Sequence, residues 1–319
     1  MPEEVLPDIY QIPLPLPKNP LRAINTYLIR GEGRWLLVDT GMNRPECREA
    51  MRSALDTLSV DLGRTDLFVT HGHSDHVGQV TELASSTSKI FLGPEDAAIV
   101  LDQDLWTKLA EAARRYGFPD ATAAVERHPG KRYLFSGRPE FTPVQDGDAM
   151  PIGRYAFRCV ATPGHTPGHV CLYDAGARLL ISGDHILDTI TPNISGWEDE
   201  TDALGDFLAS LDKIAAYDIG LVLPSHRNLF SDPLRRIEEL KVHHRHRLDE
   251  ALQILAAGPQ TAYEVASLMK WDLDCTNWES FPTPQKWFAT GEALAHLRHL
   301  ERTGKIQKVW REERYCFET

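Results

Sequence analysis

The stretch FVTHGHSDHVGQ, Phe68 to Gln79, places His71, His73, Asp75 and His76 within six positions, directly after an apolar run with strand character. Imidazole nitrogens and carboxylate oxygens are the ligands that zinc, iron and manganese accept. Three later segments carry the same residue types where apolar runs give way to turns: ATPGHTPGH with His165 and His169, LLISGDH with Asp184, and LVLPSHR with His226. Side chains at such strand ends can converge on one rim of a sheet sandwich. If the strand through Phe68 and Val69 continues, its period of two puts His71 and His73 on one side, able to chelate one ion together. The helical spacing that begins at VGQVTEL would redirect Asp75 and His76 to a neighbouring position. The pattern is unlike His-Glu-x-x-His, whose two ligands project from one helical face.

The order H-x-H-x-D-H, then T-P-G-H, S-G-D and a final S-H, with LLVDTG near the start, resembles the metallo-β-lactamase fold superfamily from roughly Ile9 to Arg227. The resemblance implies an α/β fold, a four-layer αββα sandwich, and two divalent metal ions. Zinc is the expected metal, with iron or manganese as alternatives. By the same resemblance His71, His73 and His165 would bind one ion, Asp75, His76 and His226 the other, and Asp184 would bridge them. Asp75 and Asp184 are the candidate catalytic residues. Asp39 would orient the ligand loop, and His169 either supports a ligand or packs.

Two divalent ions, two carboxylates and a bridging hydroxide would leave a small positive charge, which an anionic tetrahedral intermediate balances. Coordination lowers the pKa of water toward ~7, so hydroxide is available without a Ser or Cys nucleophile. The leading expectation is therefore a metal-dependent hydrolase in which a metal-bridging hydroxide attacks an ester, thioester or lactone carbonyl. ATPGHTPGH looks like the glyoxalase II type of site. Asn193 or His185 could assist an oxyanion. One alternative is phosphodiester hydrolysis on RNA, or phosphotriester hydrolysis. Another, of a different class, is a mononuclear iron oxidoreductase similar to the sulfur dioxygenases. Only 42 positions separate Asp184 from His226, so the large extra domain of the superfamily's dedicated nucleases is not provided there.

The elements that must position these residues follow from periodicity. DIYQIPLPLP, INTYLIRG and RWLLVDTGMN read as an antiparallel meander. Residues 44 to 58 carry apolar side chains at helical spacing, followed by the strand DLFVT. Gly93 to Gly130 reads as a helical insertion broken at Gly117 and Pro119, placed to wall a site, with Trp106, Tyr116 and Phe118 lining a pocket or packing the insertion's own core. Strands resume with YAFRCVAT, HVCLYDA and RLLISGD. Residues 1–232 are thus expected to form the catalytic domain, and 233–319 a linker helix and a small C-terminal winged-helix domain.

In that C-terminal part, Leu234, Ile237, Leu240, His244, Leu248, Ala251 and Leu255 form one stripe, with Asp232 as N-cap and Gly258 as stop. His243 and His244 are adjacent on the helix and read as core or surface rather than as ligands. Trp271, Trp278 and Trp287 read as packing residues. TAYEVASLM and GEALAHLRHLERTGKI, then a hairpin, resemble the winged helix appended to β-lactamase-like hydrolases and an animal endoribonuclease, which raises a nucleic-acid partner.

Charge argues against that partner. Residues 245 to 319 hold ten Lys plus Arg against eleven Asp plus Glu, and the whole chain carries a net charge of −12. Neither part has a basic footprint; Arg298, Arg302 and Lys305 make only a small patch. A small-molecule substrate is the expected partner, and a homodimer is an arrangement the sequence leaves open. The 319 residues, 42% of them apolar, can build a substantial core. No segment reads as a membrane span or signal peptide, so a cytoplasmic location is expected. Five scattered cysteines, Cys47, Cys159, Cys171, Cys275 and Cys316, form no metal-binding pair and read as reduced.

Overall fold

A computed structural model describes residues 1–197, 201–272 and 277–319. The meander forms as β1 (Glu3–Leu6), β2 (Ile9–Leu16), β3 (Arg22–Arg30) and β4 (Trp35–Val38), antiparallel throughout. Pro13 and Pro15 stand in β2 opposite Asn25 and Ala23. Because β1 pairs only as far as Gln11, this end of β2 has β3 on one side alone, where a residue without an N–H breaks no ladder.

Helix α1 (Pro45–Thr57) follows, with Pro45 in its first turn and Cys47, Met51, Ala54 and Leu55 on the buried face. Strand β5 (Thr65–Phe68) then adds parallel to β4. Two single-turn helices, α2 (Ser74–Val77) and α3 (Val80–Leu83), lead to β6 (Ile90–Leu92). The insertion is α4 (Pro94–Leu101), α5 (Leu105–Arg115), α6 (Ala121–Glu126) and α7 (Pro129–Arg132), broken at Gly117 and Pro119 as the spacing predicts. Strand β7 (Thr142–Pro143) closes a seven-stranded sheet in simple order from β1 to β7.

The second sheet holds β8 (Ala149–Ile152), β9 (Tyr155–Ala161), β10 (Val170–Asp174), β11 (Leu179–Gly183) and β12 (Leu221–Pro224), in the order β12-β11-β10-β9-β8. Helix α8 (Ala203–Ala215) is the crossover that makes β11 and β12 parallel.

Alternation along the strands builds four layers. Ile29, Leu36, Val38 and Phe68 face Phe157, Cys159, Leu172 and Ile181 across the space between the sheets. Their neighbours Leu28, Leu37 and Leu67 point outward to Met51, Ala54 and Leu55 of α1. On the opposite face Val160, Cys171, Leu180 and Val222 pack against Phe207, Leu211 and Ile214 of α8. This helix–sheet–sheet–helix order is the αββα sandwich expected from the sequence.

The C-terminal part comprises α9 (Pro233–Leu255), α10 (Ala262–Leu268), α11 (Thr283–Arg302) and a hairpin of β13 (Gln307–Arg311) with β14 (Arg314–Glu318). Asp232 caps α9 by accepting from the Arg235 amide, and Thr261 with Glu264 forms a capping box on α10. Leu234 does not belong to the apolar stripe: it is 55% exposed, because the first turn of α9 turns Pro233, Arg236 and Ile237 inward and leaves Leu234 off that face. No described helix is long and apolar enough to cross a membrane. Cys47, Cys159, Cys171 and Cys316 are free, while Cys275 lies outside the described residues.

Two expectations about this part need correction. Tyr116 and Phe118 do not pack a core private to the insertion; they pack with Ala262, Trp287 and Leu297 of the C-terminal part, and Trp106 lies against the same cluster, while Phe118 also borders a cleft that it shares with Tyr263 of the C-terminal part. Arg298 is no surface patch. It is 3% exposed, and its Nη2 donates to Tyr116 Oη at 3.0 Å. Eleven of the twenty residues of α11 are buried. Arg298 is spent on the insertion while Arg302, four positions on, stays exposed, a difference that the four-residue repeat of cations in the sequence does not show.

His244 is fully buried, with Nδ1 3.1 Å from His296 Nε2. Burial above all, then the neighbouring imidazole, pushes His244 down to about 2; burial likewise pushes His296 down to about 3. Both are therefore neutral in the folded chain at pH 5, whereas the unfolded chain takes up protons below about 6.5. Stability from this pair is complete above that pH and is lost on acidification, with a slope approaching 1.4 kcal/mol per pH unit for each imidazole at most. In chelator-treated protein, a His244→Phe chain should show a shallower fall of Tm between pH 7 and 5 than the parent. Parallel curves would contradict the assignment.

Candidate metal centre

Each candidate side chain leaves the C-terminal end of a strand. Strands β4 and β5 run parallel, as do β11 and β12, and β9 shares their direction because β10 lies antiparallel between β9 and β11. Their C-terminal ends therefore form one rim. Asp39 follows β4, His71 to His76 follow β5, His165 follows β9, Asp184 follows β11 and His226 follows β12. The sheets are tied there by Val170 N to Thr70 O at 2.9 Å and Asn25 N to Ser225 O at 2.7 Å.

The strand does not continue through His71 and His73. Strand β5 stops at Phe68, and the Thr70 amide turns to Asp39 Oδ1 at 2.8 Å instead of to a neighbouring strand. The two histidines are joined by this turn, not by a period of two: His71 Nε2 lies 3.0 Å from His73 Nδ1. His73 then begins α2, which carries Asp75 and His76 to the far side.

The nitrogen and oxygen atoms fall into three overlapping groups, His71–His73–His165, His71–His76–Asp184 and Asp75–His76–His226, each with its atoms within 4.8 Å of one another. Asp184 Oδ2 lies 3.6 Å from His165 Nε2 and 3.7 Å from His76 Nε2. Its Oδ1 lies 3.5 Å from His226 Nε2, which is itself 3.4 Å from Asp75 Oδ2. His73 is exposed and marks the open side, while the other six are buried. All seven candidates therefore meet in one place.

Contacts on the outer side fix the inner atoms. His226 Nδ1 donates to Ala23 O at 2.8 Å, His165 Nδ1 to Asn193 O at 2.8 Å, and His76 Nδ1 to Asp39 Oδ2 at 2.8 Å. Each bond commits Nδ1 to a proton and directs Nε2 inward. The inward atoms, His76 Nε2, His165 Nε2, His226 Nε2 and Asp184 Oδ1, are buried without a hydrogen-bond partner. Buried polar atoms are rarely left so.

Electrostatics points the same way. Burial tends to raise the Asp184 carboxyl, but the imidazoles of His226 and His76 outweigh it and hold Asp184 well below the usual range. Asp75 is held at about 2 against burial by His76 and His226. Burial tends to lower His76, yet Asp39, Asp184 and Asp75 push it well above its usual value. The carboxylates and imidazoles shift one another in the direction that favours negative charge on the acids and positive charge beside them, a charge that divalent cations could supply.

His169 has a supporting place. Its Nε2 accepts from the Asp184 amide at 3.2 Å, and its Nδ1 lies 2.8 Å from Thr162 Oγ1. Gly183 allows this: with φ at +52°, a Cβ there would stand 2.6 Å from His169 Nε2. Neither Asn193 nor His185 faces the centre as an oxyanion donor. The Asn193 amide donates to Glu292, and His185 packs edge-on to Phe207.

One residue that the sequence reading missed is Asp96, in the first turn of α4. Its side chain, 1% exposed, accepts from Gly72 N at 2.6 Å, Gly168 N at 2.7 Å and Thr166 Oγ1 at 2.7 Å. It straps the His71–His73 loop to the His165 loop. No local pattern marks it, since an acidic residue in a first helical turn has an ordinary explanation in the helix dipole.

A sandwich carrying such a His/Asp cluster on one rim is the architecture of metal-dependent hydrolases. A family model for the metallo-beta-lactamase superfamily matches residues 19–226 and a second, for the metallo-beta-lactamase-like C-terminal domain, matches 248–317; the chain belongs to that superfamily. It is 28% identical to the beta-lactamase-like protein 2 homolog of Drosophila melanogaster, over 93% of this chain and 89% of that one. An atrochrysone carboxyl ACP thioesterase of Aspergillus novofumigatus is 23% identical over 79% of this chain and 64% of its own length. A metallo-beta-lactamase family protein of Thermus thermophilus superposes with a TM-score of 0.84 at 28% identity, covering 98% of this chain and 99% of that one.

Proposed function

We propose that the protein is a dinuclear metal hydrolase of acyl substrates, with zinc the expected metal, His71, His73 and His165 holding one ion, Asp75, His76 and His226 the other, and Asp184 reaching both. The observation that carries this reading is the convergence of three buried, unpartnered Nε2 atoms on the Asp184 carboxylate, His165 and His76 toward Oδ2 and His226 toward the equally unpartnered Oδ1. The pair of ions, when bound, would supply a nucleophile from water at neutral pH and polarise a carbonyl.

The chain's own residues prepare that chemistry. Asp39 and the carbonyls of Ala23 and Asn193 hold imidazoles in the tautomer that leaves Nε2 bare. Thr70 Oγ1 gives its proton to Asp39 and can accept one from His71 Nδ1, 3.1 Å away, which leaves His71 Nε2 bare as well. Asp75 and Asp184 stay ionised under the influence of the neighbouring imidazoles, and the exposed side at His73 admits the substrate.

Esters, thioesters and lactones are the favoured substrates, and the thioesterase among the relatives supports an acyl rather than a phosphoryl target. We read the C-terminal part as a winged helix, a reading supported by its three helices and hairpin and by the bridge between Gln260 and Phe317. Its use as a nucleic-acid reader is disfavoured by the burial of Arg298 and by the acidic balance of the chain.

The test is elemental analysis of chain purified without added metal, beside turnover of p-nitrophenyl esters, acyl thioesters, lactones and bis-p-nitrophenyl phosphate. Two equivalents of zinc and faster turnover of a carbonyl substrate are expected. Metal-free chain that cannot be loaded, or a preference for the phosphodiester, would sink the reading.

A further inference from the structure

We propose that Glu292, on α11 of the C-terminal part, is a positioning residue for the metal centre: it anchors Asn193, whose backbone carbonyl holds His165 in the orientation that directs Nε2 inward. This rests on the dinuclear reading above and gives the C-terminal part a share in one half of the centre.

The chain of contacts has two links, both through one residue. His165 Nδ1 donates to Asn193 O at 2.8 Å. The Asn193 side-chain amide donates to Glu292 Oε2 at 3.0 Å and lies 3.4 Å from Phe288 O. Both partners of that amide are acceptors on α11, so its NH2 end is the one turned toward the helix. On the other side of Glu292, Oε1 is 3.7 Å from Arg247 Nε, and Arg247 lies over the Trp271 ring at 4.1 Å while donating to Glu250 and to Lys270 O. The carboxylate is thus backed by a cation that is itself held by three groups. Burial raises the Glu292 carboxyl, and Arg247 and the Asn193 amide work against it.

Beyond Asn193 the segment runs on against α11. Gly196 N donates to Gly291 O at 3.0 Å. A Cβ on Gly196 would stand 2.6 Å from Ala295 N, and one on Gly291 would stand 2.7 Å from Ser195 Oγ. The loop therefore lies directly on the backbone of α11. Ile194 and Trp197 are buried on either side of that contact.

His165 differs in this from the other inward histidines. His226 is held by Ala23 and His76 by Asp39, groups on the first sheet and its connections. His165 alone of these three is held by a segment whose far side is fastened to the C-terminal part. Freed from Glu292, Asn193 would lose the bond that sets its carbonyl, and the His165 ring could exchange tautomers or turn.

Full-length Glu292→Ala and Glu292→Gln chains test this, because Gln keeps an oxygen for the Asn193 amide. In chelator-treated protein, ring 15N shifts of His165 should report one tautomer, protonated at Nδ1, in the parent and in the Gln chain. In the Ala chain they should report a mixture. Zinc titrations against a chromophoric chelator should show one of two binding steps weakened about 10- to 100-fold in the Ala chain, with the other step unchanged and the Gln chain restored. Tm is followed beside both. An unchanged His165 tautomer in the Ala chain overturns the proposal. So does equal weakening of both steps in proportion to a lower Tm, which would mark Glu292 as structural only. A parent chain that binds no zinc at all defeats the hydrolase reading instead, and the tautomer measurement still decides the role of Glu292.

Discussion

An Asp184→Ala chain should keep its sandwich, bind at most one metal ion, and hydrolyse its substrate about 10³-fold more slowly or worse, the loss expected when several kcal/mol of charge stabilisation is withdrawn. Asp184 is the carboxylate placed between both groups of histidines, 3.6 Å from His165 Nε2, 3.7 Å from His76 Nε2 and 3.5 Å from His226 Nε2. Removing it leaves the other ligands in place but takes away the negative charge that two cations would share. The backbone at 184 should hold, since its amide is bonded to His169 Nε2 and Gly183 is locked between His169 and Thr70. Circular dichroism, metal analysis and turnover on one preparation separate these effects. Two retained metal equivalents with more than a tenth of parent turnover would show that Asp184 is not the shared group.

The sequence made the rim legible because strand ends are local. VDT, VTH, VAT, SGD and PSH each show an apolar run meeting a polar turn, and the structure brings all seven candidate side chains from these turns together. The sandwich was legible for the same reason, since alternation along β3, β4 and β9 assigns each face. What the sequence did not show is whatever depends on contacts between distant segments. The turn at Thr70 is set by Asp39, thirty-one positions earlier, so the strand ends before His71 although its pattern could continue. Asp96 looks like a first-turn acid until Gly72 and Gly168 are seen to donate to it. Arg298 keeps a surface-like spacing, and only the packing of the insertion shows that Tyr116 covers it. The exposed Leu234 is the converse, an apolar residue three positions before Ile237 that falls off the covered face because its neighbour Pro233 takes the buried side.

Asp39 should separate folding from metal binding through two substitutions. Its carboxylate, 1% exposed, accepts from Thr70 N at 2.8 Å, from Thr70 Oγ1 at 2.9 Å, from Ser225 Oγ at 3.1 Å and from His76 Nδ1 at 2.8 Å. Alanine leaves these donors facing an apolar methyl, a loss on the order of 3–5 kcal/mol for a broken buried charge network. It must also take up the left-handed backbone at φ +62° without a side chain that suits it. Against a total stability of about 5–15 kcal/mol, this should lower Tm by on the order of 10 °C even in metal-free protein. Asparagine tolerates that backbone and fills the same volume, so an Asp39→Asn chain should lose much less stability. Its neutral amide, however, no longer favours a proton on His76 Nδ1, and the inward Nε2 is no longer assured. Zinc affinity should therefore fall about 10- to 100-fold in the Asn chain, the range expected when the partner of a ligating histidine is removed. Calorimetry on chelated protein and zinc competition on the same chains read the two effects apart. If Asn matches Ala in Tm while zinc affinity stays at the parent value, Asp39 serves the fold alone, and the tautomer of His76 must be set by something other than its 2.8 Å bond to this carboxylate.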